Sequence, residues 1–109
     1  MQKSIFMDKY PIYSLTINKS ETKMTNVPQI IEHFKGKIEA HPIATLIAVF
    51  DNYAYTKAQN GEIMEGLKDA QSVIFCFGPA IPNTKILAVR PRSIGVCELE
   101  DAFVIEFIE

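Results

Sequence analysis

Apolar positions run in two rhythms along this chain. Between residues 10 and 20, Tyr13, Leu15 and Ile17 alternate with Ile12, Ser14 and Thr16. The second set is mostly polar, and this period of two predicts a half-buried strand. Pro11 suits the start or edge of such a strand. Residues 1–9 precede it as a short lead-in. From Val27 the period lengthens, and Val27, Ile30, Ile31, Phe34 and Ile38 fall on one helical face. Asn26 is placed to cap this helix, Pro28 fits its first turn, and Gln29 follows Asn26 at capping-box spacing. Pro42 disfavours helical geometry in the residue before it, so the helix is expected to stop by His41.

Denser apolar runs follow. Residues 42–50, PIATLIAVF, are nearly all apolar and predict a central strand covered on both faces. If that strand continues past Asp51, Tyr53 and Tyr55 share a face before a turn at Gln59, Asn60 and Gly61. Ile63, Met64 and Leu67 suggest a short second helix over residues 62–70. Residues 72–78 read as another apolar strand, and the glycine and prolines of residues 78–83 as a loop. TKILAV, which follows, is either a strand or irregular. Two strand-like runs then flank Glu100 and Asp101 as a tight antiparallel hairpin. On the last of them Phe103, Ile105 and Phe107 share one face, and Ala102, Val104, Glu106 and Ile108 the other.

The predicted fold is α+β. A mostly antiparallel five- to six-stranded sheet carries one long and one short helix on one face, all in a single domain over residues 10–109. The last strand is apolar on both faces and needs cover on both. A homodimer is the simplest cover for the side without helices.

Composition narrows the class. The chain has 109 residues, 48% of them apolar, enough for a core of its own. With 11 basic and 13 acidic residues the formal net charge is −2, which argues against nucleic acid as a partner. No apolar run approaches the ~18 residues of a membrane-spanning helix. Residues 1–13 lack the apolar core and cleavage site of a signal peptide, so a cytoplasmic location and no membrane partner are expected. Cys76 and Cys97 each sit inside an apolar run and are expected to be reduced, buried and inert.

Candidate chemistry is sparse. No phosphate-binding glycine loop, zinc-protease, serine-hydrolase or CxxC signature occurs, so no catalytic residue, metal ligand or cofactor is assigned. His33 and His41 are expected to be solvent-exposed. Arg90 and Arg92 flank Pro91 inside an apolar run. In extended geometry they point to one side about 7 Å apart and could grip a small anion. They could equally pair with Glu98, Glu100 or Glu106 across the sheet, at about 0–1 kcal/mol each. Asp51 and Tyr53, at a strand end beside aromatics, either line a small-molecule pocket or mark where the core stops.

The segments LIAVFDNYA, VIFCFGPAIPNT and SIGVCELEDAFVIEFIE together resemble the bacterial domain of unknown function family three hundred and two. That resemblance implies a fold like that of the TATA-binding protein and a tendency to dimerise. It supplies no catalytic residue. The expected function is a non-enzymatic homodimeric module binding a small ligand or a protein partner. The alternative is an enzyme or sensor for a small anion, using Arg90 and Arg92.

Overall fold

Asn26 starts the long helix as its sequence demands. Its side chain accepts the backbone N–H of Gln29 at 2.9 Å, and the Gln29 side chain reaches back to the N–H of Thr25 at 2.7 Å. The first bond satisfies a donor that the first helical turn leaves open, and the second ties down the residue before the cap. In the computed structural model, which describes residues 1–108, the elements run in this order: β1 (Gln2–Phe6), β2 (Tyr10–Asn18), α1 (Val27–Ala40), β3 (Ala44–Phe50), α2 (Asn52–Ala58), β4 (Asp69–Phe77), α3 (Ile86–Val89), β5 (Arg92–Glu98) and β6 (Ala102–Ile108). The strands form one antiparallel sheet in the order β1-β2-β6-β5-β4-β3. Helix α1 carries the chain from β2 to the far edge, and β3 to β6 return as a meander to pair with β2.

Directly paired residues project on the same face of a sheet. The row Leu15, Ile105, Val96, Gln71 therefore lies on one side, together with Val73 and Ile94. Val27, Ile30, Ile31 and Ile38 of α1 pack on that side against Val73, Val96, Phe103 and Ile105. The opposite side carries Thr16, Val104, Cys97 and Ala70 in one row, and Ser14, Glu106, Gly95, Ser72 and Phe50 in the next. Helix α2 meets this second side. The Ser72 hydroxyl donates to Asn52 Oδ1 at 2.9 Å, and the Phe50 and Tyr55 rings lie 5.3 Å apart.

The α+β fold, the long helix and the C-terminal hairpin match the expectation from sequence. Several details differ. The lead-in contains β1, whose five residues are all exposed and which pairs with β2 at the edge of the sheet. Strand β3 is an edge strand, not a doubly covered central one. Among the described residues it pairs only with β4, and Ile47, Val49 and Phe50 remain exposed. An apolar run identifies a strand but not its place in the sheet order. After Asp51 the chain turns into α2 rather than continuing extended, because the Asp51 carboxylate caps the N–H of Ala54 at 2.9 Å. Residues 62–68 form no helix, and Gly66 there adopts φ +87°. Three apolar residues give too little burial to offset the cost of helix nucleation. TKILAV supplies the single turn α3.

Candidate binding groove

The segment between β4 and β5, residues 78–91, is held by one side chain. Gly78 leaves β4 with φ +90°, in the left-handed region where glycine is favoured. Arg90 folds back onto this turn, and its Nη1 donates to the carbonyls of Gly78 at 2.9 Å and Ala80 at 3.0 Å. The fit is close, since a Cβ on Gly78 would lie 2.7 Å from Arg90 Nη2. The Arg90–Pro91 peptide is cis. The segment so fixed forms one wall of a groove of about 580 Å³. Ile43, Thr45 and Ile47 line it from the β3 side, Cys76 and Phe77 from β4, and Ile81 and Leu87 from the loop.

The groove walls are apolar, and Ile43, Ile47, Ile81 and Leu87 are each more than half exposed. Among the described residues, Arg90 is the only charged one lining it. Its guanidinium is half-buried and has no carboxylate partner among the described residues. Both hydrogens of Nη1 are committed to carbonyls. Those of Nε and Nη2 remain for another acceptor. Half-buried and already bonded to two carbonyls, the guanidinium can turn its remaining donors to water or to an anion.

Arg92 goes elsewhere. It pairs in register with Phe75, on the α1 side of the sheet, and donates to the carbonyl of Ile108. It lines a separate cavity of about 210 Å³ with Phe75 and Phe107. The two arginines therefore form no common clamp. Neither do they make the expected ion pairs. Glu98 takes Lys19 at 2.8 Å, Glu100 faces Lys68 at 3.9 Å, and Glu106 accepts the Ser14 hydroxyl at 2.6 Å. Both guanidiniums donate to backbone carbonyls, Arg90 in the loop after β4 and Arg92 at the end of β6.

Asp51 and Tyr53 lie past the other end of β3, with Asp51 about 13 Å along the chain from Ile47, the last β3 residue lining the groove. Asp51 is occupied as the α2 cap, and Lys57 Nζ lies over the Tyr53 ring at 5.9 Å. This corner is acidic. Burial raises the pKa of Asp69, the nearby Asp51 and Glu98 add to the rise, and the Ala70 N–H partly offsets it. The corner does not suit an anion.

The cysteines are free and half-buried rather than buried, because they sit on the side of the sheet that α1 does not cover. Burial, with Glu106 and Asp69 nearby, raises the pKa of the Cys97 thiol. His33 and His41 are exposed. Sequence reasoning singled out Arg90 but missed Ile43, Ile47, Ile81 and Leu87 as its companions. The available signal was the proline-bounded loop beside an apolar run too long for burial.

Residues 1–109 match a family of unknown function, DUF6858, and the chain belongs to that family. The match carries neither the bacterial family three hundred and two nor its likeness to the TATA-binding protein. No curated protein and no solved structure was found to match the chain.

Proposed function

We propose that this DUF6858 chain is a non-enzymatic binding module whose seat is the groove between β3 and residues 78–91. Its ligand carries an apolar body and one anionic group, which meets Arg90. The observation behind this reading is the half-buried Arg90 guanidinium, without a carboxylate partner among the described residues, in a groove otherwise apolar or neutral. Thr45 and Cys76 bring a hydroxyl and a thiol to the groove, but no lining residue is a base to activate either, which favours binding over catalysis. Arg92, Asp51 and Tyr53 lie outside this seat and take no part in the reading.

Octanoate tests it, because it joins a short apolar chain to one carboxylate. In a Cys97→Ser variant, Cys76 is the single thiol and lines the groove. Saturating octanoate is expected to slow maleimide labelling of Cys76 several-fold, and octanol to slow it less. An unchanged labelling rate with octanoate sinks the proposal.

A second copy of the chain is part of the same reading. On the side away from α1, Ile12, Ile74, Cys97 and Val104 are only half-buried. Helix α2 and the loop meet that side at β3 and β4, which leaves β2, β6 and β5 for a two-fold partner. The setting we propose is cytoplasmic, where both thiols stay reduced.

A further inference from the structure

The α1 side of the sheet carries a trough of its own, apart from the groove. Phe34, Lys37 and Ile38 of α1, with its cap residue His41, line a cavity of about 330 Å³ against Phe75, Phe77 and Ile94 of the sheet. Phe75, Phe77 and Ile94 also line the cavity of about 210 Å³ that holds Arg92 and Phe107. The two cavities therefore make one trough, running from the end of α1 across β4 and β5 to the end of β6. Strand alternation sets Phe75, Arg92, Ile94 and Phe107 on this side, and Thr45 and Cys76 of the groove on the other. From these walls we infer that the trough is a second binding site, for a planar aromatic carboxylate whose ring lies against the phenylalanines and whose carboxylate meets Arg92.

The walls favour a ring. Phe34, Phe75, Phe77 and Phe107 all bring phenyl groups to the trough. The Phe75 and Phe77 rings lie nearly parallel, 18° apart in plane, and Phe77 is 45% exposed. Aromatic pairs in offset or edge-on contact gain energy beyond the area they bury, which an alkyl chain does not.

Charge selects the substituent. Among the described residues no carboxylate lines either cavity, whereas Lys37 and Arg92 both do. Arg92 reaches from β5 toward the end of β6, where its Nη2 donates to the Ile108 carbonyl. One Nη2 hydrogen is used there, so one two-donor edge of the guanidinium is intact for a carboxylate. Lys37 adds positive charge at the α1 end. The other polar side chains on the trough are Ser93 and His41, and no amide is present. A nucleotide would leave the polar edges of its base against apolar walls, at a cost. An aromatic carboxylate has one polar group, and Arg92 satisfies it.

The test uses the full chain, isotope-labelled, with unlabelled 2-naphthoate as the probe. Intermolecular NOEs are expected from the naphthalene protons to the methyl groups of Ile94 and Ile38. The uncharged 2-naphthamide should bind about tenfold or more weakly, as loss of a charge-assisted pair predicts. The saturated decalin carboxylate should bind several-fold more weakly. Both comparisons are read on the unaltered protein, so no folding defect can imitate them. Arg92→Gln keeps an N–H donor for the Ile108 carbonyl and should remove most of the preference for acid over amide. Equal affinity for acid and amide, or no saturable binding, overturns the inference. NOEs to Ile43 and Ile47 instead place naphthoate in the groove, which overturns the trough and leaves the groove reading intact. NOEs at Ile94 from an unlabelled second copy, undisplaced by naphthoate, assign the trough to self-association and overturn it as well.

Discussion

At the scale of single residues, the molecule turns on a glycine and an arginine that interlock. Gly78→Ala forces a Cβ into the left-handed region and against Arg90 Nη2 at 2.7 Å. It is expected to cost more than ~1 kcal/mol in urea denaturation and to raise the labelling rate of Cys76 as the loop loosens. Asp69 gives a pH-dependent counterpart. Its folded-state pKa lies above the ordinary carboxylate value of 3.8, chiefly through burial. The stability tied to its protonated form is complete below that value and is lost as the pH rises through the folded pKa. Asp69→Asn keeps an oxygen for the Ala70 N–H and removes the charge. Its melting temperature is expected to exceed that of the unaltered protein at pH 7, with the difference gone below pH 3.8. An equal difference at both values would contradict this account of the Asp69 corner. Arg90 could be picked out from sequence because a cation inside an apolar run is conspicuous. Its carbonyl partners could not, since a turn that returns the chain twelve residues later leaves no periodic trace.

At the scale of elements, local signals were reliable where one segment supplied all its own determinants. Helix α1 contains its cap, its apolar stripe and its stop. Asn26→Ala removes the bond to Gln29 and is expected to cost about 1 kcal/mol. Gly36 is exposed on the same helix with nothing within 4 Å of an added Cβ. Gly36→Ala should stabilise by up to about 1 kcal/mol, measured by thermal or urea unfolding. The hairpin of β5 and β6 was equally legible, since its strands are adjacent and joined by a short turn. Residues 52–58 were not. Two tyrosines two positions apart suit an extended face, and the capping bond from Asp51 decided for helix. In residues 62–68 a weak apolar spacing buries Ile63 and Leu67 only in part, and no helix formed.

At the scale of the whole molecule, one helix must cover a six-stranded sheet. The core concentrates where α1 crosses β4, β5 and β6, with Phe103 fully buried at its centre. Phe103→Ala is expected to cost about 3–5 kcal/mol, a large part of a small domain's usual stability. Sheet beyond the reach of α1 stays half-exposed, which motivates the proposed homodimer. Native mass spectrometry is expected to show twice the chain mass, and Val104→Lys, on the uncovered side, to return the monomer. A monomer at all accessible concentrations would count against a second copy there.

The sequence by itself determined the class of the fold, the extent of α1, the last two strands and the unusual position of Arg90. Each rests on periodicity, capping or charge contained within a few consecutive residues. Only the tertiary structure decided that β3 lies at an edge, that Arg90 and Arg92 part company, and that Asp51 stands outside the groove as the cap of α2. Strand order and register bring together residues far apart in the chain. An apolar run has the same spelling at the centre of a sheet and at its rim.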